Sequence, residues 1–216
     1  MPEKITATYK IITPMFIGDA NQEASEISPS SIKGALRFWW RALNWGRFLN
    51  KANNEVDALN RLHEYEAKLF GGLPDSVKDK KTEKDIGGQG VFLLRVNVTN
   101  KKMLSKSELD ADSIYSLKNK QWQSYLLGLG LIKYDSKTGD NLYIRNAMVS
   151  GTFSVVLFCK STQYRDELKD LLLFWGLMGG LGSRNRKGLG SISINNLLVG
   201  DTKFDLPQNR QQYINT

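Results

Sequence analysis

Five glycines within twelve residues, at positions 179–190, constrain this chain more than any other feature of its sequence. The segment reads Gly-Gly-Leu-Gly-Ser-Arg-Asn-Arg-Lys-Gly-Leu-Gly and contains three cations and no acidic residue. An amphipathic helix pattern precedes it, and a strand-like run at 191–199 follows. Because glycine adopts positive φ at low cost and lets the main chain approach another molecule closely, this glycine loop is expected to be a tight turn at a helix-to-strand junction.

The composition of the glycine loop is typical of an anion site, since the N–H groups of such a loop can point into one concavity. We expect it to bind a phosphate backbone through Gly182, Ser183, Arg184, Asn185, Arg186, Lys187 and Gly188. The loop lacks the Gly-Lys-Ser/Thr ending of a Walker A motif and follows a helix, which argues against both that motif and a dinucleotide fingerprint. The alternative is a glycine-rich turn whose charges are solvated.

The net charge favours a polyanionic partner. The 216 residues include 30 Lys and Arg against 22 Asp and Glu, a formal charge of +8. Nucleic acid is the first candidate and an acidic membrane surface the second, but the sequence shows neither a membrane-length apolar run nor a signal-peptide pattern. The single cysteine, Cys159, cannot form an internal disulfide, so we expect a cytoplasmic protein in which this side chain is buried.

A second basic region coincides with a predicted helix that begins at Ser28 and Pro29, a capping hydroxyl followed by proline at the first helical position. There is no acidic residue between Glu26 and Glu55. Cations recur every four residues on one face of this helix, at Lys33, Arg37 and Arg41. An exposed structural helix usually alternates acidic and basic residues, but no carboxylate lies four residues from these cations on the helix. We therefore expect this basic ridge to contact RNA rather than to be a merely solvated face.

Three further side chains are candidates for contacts with bases. Trp40 falls beside the basic ridge and is expected to stack on a base, whereas Trp39 lies in the apolar stripe of the helix and is expected to pack in the core. Met15 and Phe16, in the loop after the first strand, either wedge or stack in the same way or are buried against the helix.

The periodicity of the chain predicts an α+β fold. Four runs have strand periodicity, at 5–11, 91–98, 151–158 and 192–199. With the helix that begins at Ser28 and a second amphipathic helix at 164–178, the order reads β-α-β-β-α-β, the ferredoxin-like arrangement that RNA-recognition domains also use. Neither middle strand has the stacking aromatics of a common RNA-recognition domain, so we expect the loops, and not the sheet face, to bind RNA.

The domain organisation follows from the same pattern. We predict one ferredoxin-like domain over residues 1–200, with insertions at about 50–88 and 100–146 that are partly helical, and a polar tail at 201–216.

The sequence resembles the RAMP superfamily, the ferredoxin-like RNA-binding subunits of CRISPR–Cas effector complexes. The glycine loop before the last strand matches that family in place and composition. Segments 13–18, 28–42 and 69–72, with the loop itself at 182–190, narrow the resemblance to the first RAMP subunit of the type III-B (Cmr) complex. Members of that group commonly have a second ferredoxin-like unit, whereas this sequence has the pattern of a single unit.

The resemblance implies an RNA-binding subunit of a ribonucleoprotein effector in antiviral defence, with a capping or assembly role. Its partners would be the CRISPR guide RNA, the single-stranded target RNA and other effector subunits, and cleavage would belong to a neighbouring subunit. We expect no catalytic residue, no metal, no cofactor and no membrane contact.

Two alternatives stay open at this point. One is a metal-independent endoribonuclease that processes guide RNA, which needs a general acid–base group such as histidine. The single histidine, His63, lies in the acidic helical segment, and Asp19 occupies a region comparable to the catalytic aspartate of the cutting RAMP subunits without matching its surroundings. Glu64 and Glu66, two residues apart on a helix, are expected to be solvated. The other alternative is a purely structural assembly subunit.

Overall fold

The computed structural model describes residues 3–18, 26–72 and 88–207. The strands in this part of the chain are β1 (Glu3–Ile11), β2 (Gly71–Gly72), β3 (Gly88–Gln89), β4 (Phe92–Leu104), β5 (Ile132–Asp135), β6 (Asp140–Tyr143), β7 (Ala147–Cys159), β8 (Ile192–Val199) and β9 (Thr202–Lys203). The helices are α1 (Pro29–Leu49), α2 (Glu55–Phe70), α3 (Lys106–Ala111), α4 (Gln121–Leu127) and α5 (Arg165–Met178). Single 3₁₀ turns occupy Thr162–Tyr164 and Asn185–Lys187.

Five strands form one sheet in the order β4-β7-β1-β8-β9, with every neighbouring pair antiparallel. The central strand, β1, places Ile5 opposite Leu157 of β7 on one side and opposite Val199 of β8 on the other. Two further sheets of two strands each, β2–β3 and the hairpin β5–β6, lie outside this sheet.

Alternation of apolar and polar residues along β1 determines which face of the sheet is buried. Ile5, Ala7 and Tyr9 are fully buried, whereas Lys4 and Lys10 on the opposite face are exposed. The Tyr9 hydroxyl donates a hydrogen bond of 2.9 Å to the carbonyl of Leu172, which satisfies the one polar group of this ring in the core.

Helices α1 and α5 pack in the main core on this apolar face. The Ser28 side chain accepts a hydrogen bond from the Ser31 amide and caps α1, as the sequence predicts. In α5, Gly176 allows close contact with the sheet, because a Cβ atom at this position would lie 2.6 Å from the Cβ of Ile194.

Helix α2, from the predicted insertion at 50–88, contributes to the same core. Its buried residues Leu62, Leu69 and Phe70 belong to the main hydrophobic cluster. At the end of α2 the chain passes directly over the strand that follows, since a Cβ on Gly71 would lie 2.6 Å from the carbonyl oxygen of Gly88. Gly71, in the 69–72 segment of the sequence, therefore has a packing role.

The predicted insertion at 100–146 builds a second, smaller core. Leu109 of α3, Leu127 of α4 and Tyr143 of β6 are buried together there. Phe16 from the loop after β1 inserts into this cluster and stacks on Tyr143, with ring centroids 5.8 Å apart. The segment is thus attached to the first loop through an aromatic contact.

The predicted α+β class is confirmed, with a sheet that is antiparallel throughout. The strand predicted at 192–199 has the observed bounds, while β4 and β7 are longer than their predicted runs. The first residues of the predicted polar tail belong to the fold: β9 pairs with β8, and Phe204 packs against the main core. None of the helices described above is long and apolar enough to cross a membrane.

Candidate nucleic-acid interface

The base of the glycine loop is fastened to the loop that follows β1. The Ser183 amide donates to the carbonyl of Phe16 and the Gly190 amide to that of Pro14, each at 2.8 Å. Gly182 has φ +87°, and a Cβ on it would lie 2.7 Å from the Phe16 carbonyl oxygen. The main chain here approaches the protein itself. Of the amides that the sequence suggested for phosphate, those of Ser183 and Lys187 already have protein acceptors.

The tip of the loop has the backbone geometry of an anion-binding concavity. Arg184 lies in the left-handed region at φ +59°, the 3₁₀ turn Asn185–Lys187 follows, and Gly188 returns to positive φ. Alternation of positive and negative φ is the backbone pattern from which anion-binding concavities are built, and in this turn the Lys187 N–H donates to the carbonyl of Arg184 at 2.8 Å. The Asn185 side chain donates to the carbonyl of Gly180 at 3.3 Å and holds the tip against the base of the loop.

The three cations of the loop have different surroundings. Arg184 donates two hydrogen bonds of 3.2 Å, to the carbonyls of Leu127 and Leu129, and so ties the loop to the end of α4. The guanidinium of Arg186 lies 4.9 Å from the centre of the Phe38 ring of α1. Lys187 is exposed. Arg186 and Lys187 are therefore the loop cations that are placed for a ligand, whereas Arg184 has a positioning role.

Helix α1 and the glycine loop lie side by side. A cavity of about 550 Å³ is lined by Gly34 and Phe38 of α1 and by Gly182 and Arg186 of the loop. A second cavity of about 440 Å³, which also has Gly34 in its wall, is lined by Lys33, Arg37, Gly71, Gly72 and Gly90 among others. Gly34 is exposed and lines both cavities, and a Cβ on it would meet no atom within 4 Å. The two cavities therefore adjoin the helix surface at this glycine, where no side chain projects.

Lys33 is the ridge cation that faces this surface without a carboxylate partner among the described contacts. It is half-buried, and burial together with the charge of Arg37 lowers its pKa. A cation in this situation is stabilised by an anion placed nearby.

The prediction that Arg37 and Arg41 lack an acidic partner is wrong. Arg41 donates two hydrogen bonds to the carboxylate of Glu66, at 2.6 and 2.7 Å, and this contact raises its pKa. Arg37 lies 3.5 Å from the same carboxylate and also donates to the carbonyl of Gly71. Glu66 is buried, not solvated as the sequence suggested, because α2 packs its face against α1. The single carboxylate of Glu66 therefore reduces the net positive charge of the three-cation basic ridge but does not cancel it.

The prediction that Trp40 stacks on a base is wrong, because this side chain is 1% exposed. Its ring stacks on Tyr65 of α2 with centroids 5.6 Å apart, and its indole N–H donates to Glu167 of α5 at 2.7 Å. Burial and the hydrogen bond to Glu167 raise the pKa of Tyr65 to about 12. This cluster joins α1, α2 and α5, and Trp39 is the half-buried member of the tryptophan pair.

Met15 and Phe16 are also unavailable to a ligand. Met15 is 0% exposed in the main core and Phe16 is 3% exposed in the second core. Of the two possibilities that the sequence left open for this pair, burial is correct, although Phe16 packs on Tyr143 rather than on α1.

Of the two residues of the nuclease alternative, the described part of the chain contains one. His63 is exposed on α2, and Asp19 lies outside the described residues. Within residues 3–18, 26–72 and 88–207 there is no group of three or more His, Cys, Asp and Glu side chains that could hold a metal ion. Cys159 is buried as expected, and burial raises its pKa to about 11.

A family model described as the RAMP superfamily matches residues 8–193, from β1 to β8. The chain belongs to the RAMP superfamily. The expected resemblance to the first RAMP subunit of type III-B complexes is also confirmed. The CRISPR system Cmr subunit Cmr1-2 of Pyrococcus furiosus is 27% identical over 185 residues, which are 85% of this chain and 90% of that protein.

Solved structures of CRISPR proteins share the RAMP fold of this chain. Cmr1 from Pyrococcus furiosus, in its apo form, aligns with a TM-score of 0.54 and 22% identity over 90% of this chain. A chain of the type III-B Cmr-beta complex bound to cognate target RNA and AMPPnP aligns with a TM-score of 0.56 and 16% identity over 93% of this chain. This protein spans 50% and 56% of those two chains, about half of their length. A chain of a type IV-B CRISPR complex aligns with a TM-score of 0.52 and 14% identity, over 98% of this chain and 97% of that one.

Within this RAMP chain, three acid-free segments meet at the glycine loop. They are residues 27–54, 113–134 and 171–200, which together contain eleven of the 30 Lys and Arg and none of the 22 Asp and Glu. The first contacts the loop through Phe38 and Arg186, and the second through the carbonyls that accept from Arg184. Sequence reasoning found the first segment and the loop but missed 113–134. Runs 86–107 and 141–165 are also free of acidic residues, so the sequence alone has no signal that singles out 113–134.

Proposed function

We propose that this RAMP chain is a non-catalytic, RNA-binding subunit of a type III CRISPR effector, which holds the sugar–phosphate chain of guide or target RNA without sequence selectivity. The observation that carries the proposal is the convergence of the three acid-free segments on the glycine loop. A surface of this kind, in a chain of net charge +8, favours a polyanion. The names of the similar proteins, a Cmr subunit and a complex bound to cognate target RNA, support RNA as that polyanion.

The arrangement of the sheet supports a ferredoxin-like core. The four long strands lie in the order β4-β7-β1-β8, with α1 and α2 between β1 and β4 in the chain and α5 between β7 and β8. We interpret them as the four strands of a β-α-β-β-α-β unit over residues 1–200, into which α3, α4 and the β5–β6 hairpin are inserted.

Three cations are assigned to phosphate contacts in this proposal. Arg186 and Lys187 lie at the tip of the glycine loop, next to its concavity of main-chain N–H groups. Lys33 extends the surface on the far side of Gly34. Such contacts read the backbone and not the bases, so sequence selection is left to pairing between guide and target.

The test is a binding titration of the purified chain with short single-stranded RNAs of different sequence over a range of salt concentrations. Each phosphate contact on a single strand contributes about −0.7 to the slope of log K against log salt. The double variant Arg186→Ala with Lys187→Ala is therefore expected to lose affinity equally for all sequences and to flatten the slope by about 1.4.

A matched control removes the same charge elsewhere. Lys106 and Lys203 are exposed and each lies within two residues of an acidic side chain. Their double alanine variant is expected to keep the slope of the unmodified protein. Equal losses in both variants, or losses that depend on sequence, would contradict the proposal. A discrete cut in repeat-containing RNA without metal would instead favour the endoribonuclease, and no RNA affinity at low salt would favour a purely structural subunit.

A further inference from the structure

We propose that Trp122 and Tyr125, on α4, form a platform on which bases of the bound RNA stack. This inference rests on the proposed function and adds a second kind of contact, to the bases and not to the backbone. Single-stranded nucleic acid is commonly held by aromatic side chains beside a positively charged surface, because every base offers a flat face and stacking tolerates any sequence.

The two rings are exposed to an unusual degree. Trp122 is 85% and Tyr125 is 77% exposed, while Ser124 and Leu127 on the other side of α4 are buried. Residues three apart on a helix lie on the same face, one turn from each other. Two large aromatic side chains are thus presented together on a helix that is held from behind by the second core.

The platform is attached to the glycine loop. The two hydrogen bonds that Arg184 donates, to the carbonyls of Leu127 and Leu129, fix the end of α4 against the tip of the loop. Lys187 of the loop lines one cavity of about 160 Å³ together with Gln123 and Leu126 of α4. Lys187 thus lies beside α4, on which Trp122 and Tyr125 are the exposed neighbours of Leu126, outside the cavity itself.

The charge around α4 favours RNA over a protein as the occupant. Residues 113–134 contain Lys118, Lys120 and Lys133 and no acidic residue; of the acids that flank the segment, Asp112 interacts electrostatically with Lys120. Leu126 and Leu129, 45% and 88% exposed, extend the apolar surface and would also suit a protein partner. The cationic segment and its junction with the glycine loop decide between the two, because a phosphate chain complements both features at once.

The test compares an ordinary single-stranded RNA with a strand of the same length that consists of abasic ribose–phosphate units. Trp122→Leu keeps an apolar side chain but removes the flat ring. It is expected to weaken binding of the ordinary RNA about tenfold, which corresponds to about 1.4 kcal/mol, and to leave binding of the abasic strand and the salt slope unchanged. Trp122→Phe retains a ring and is expected to keep most of the affinity, and Tyr125→Leu should behave as Trp122→Leu does. Because both side chains are exposed, neither change is expected to alter folding, which circular dichroism checks.

The outcomes separate this inference from the proposed function. If the unmodified protein binds RNA with the expected salt slope but Trp122→Leu binds both strands normally, the stacking platform is refuted, the proposed function stands, and the surface is assigned to a protein partner. Equal affinity of the unmodified protein for the two strands would also refute it. If the unmodified protein binds neither strand at low salt, the proposed function fails and this inference fails with it.

Discussion

The contact between α1 and α2 offers a sharp test of which ridge cations are structural. Glu66 is buried, accepts two hydrogen bonds from Arg41 and forms a 3.5 Å ion pair with Arg37, whereas the side chains of Arg37 and Arg41 are 32% and 48% exposed. The perturbation is to remove one side of this cluster at a time. Glu66→Gln removes the buried charge, and the double variant Arg37→Met with Arg41→Met leaves that charge without a partner.

The structure predicts unequal costs for the two changes. After Glu66→Gln the arginines can turn to water and one amide oxygen still accepts, so we expect a loss of about 1–2 kcal/mol, near the value of one hydrogen bond to a charged group. The double arginine variant strands a buried carboxylate, which costs about 3–5 kcal/mol. For a chain of this length each kcal/mol corresponds to a fall of about 2–4 °C in Tm.

Urea unfolding followed by circular dichroism measures both losses. Glu64→Gln, the same chemical change two residues away on α2, is the control and should stay within about 0.5 kcal/mol of the unmodified protein. RNA affinity of Glu66→Gln should not fall, since the change removes a negative charge from beside the basic ridge.

Equal stability of the double arginine variant and the unmodified protein would refute this reasoning. So would a Glu66→Gln variant that is less stable than the double variant. In either case Arg37 and Arg41 would return to the set of candidate RNA contacts.

Two other changes test the packing of the interface. Gly182→Ala should lower the free energy of unfolding by more than about 2 kcal/mol, because the new methyl group clashes with the Phe16 carbonyl in addition to the cost of a left-handed alanine. Gly188→Ala also has positive φ but has open space around it, so it should cost only about 1 kcal/mol. Equal losses for the two variants in urea unfolding would contradict this. Phe16→Ala should lower the free energy of unfolding by about 3–5 kcal/mol, because it leaves a cavity beside Tyr143. A variant with an unchanged Tm and weaker RNA binding would instead support the hypothesis that Phe16 contacts the bases.

Local patterns in the sequence predicted the elements of the fold well. The cap at Ser28 and the bounds of β8 follow from residues next to one another in the chain, and the structure has both. The hairpin β5–β6 and the short helix α3 were missed, because their runs of four to six residues give too little periodicity to read.

The errors at the candidate site have a common physical cause. The sequence placed Trp40 on the surface, but Tyr65 of α2 and Glu167 of α5 both contact it. Trp39 packs against the main core as expected, although it is only half-buried. The partner of Arg41 was sought four residues away and lies at Glu66, 25 residues along the chain. Periodicity along one helix cannot indicate which of its faces a second helix will cover.

The central claim is that RNA lies along the surface where the three acid-free segments meet, and mapping of ultraviolet crosslinks by mass spectrometry tests it most directly. With single-stranded RNA bound at low salt, the account predicts crosslinked peptides from residues 27–54, 113–134 and 171–200, with Trp122 and the tip of the glycine loop among the modified sites. Crosslinks concentrated on the open face of the sheet, for example at Lys4, Lys10 and Arg95, would contradict it.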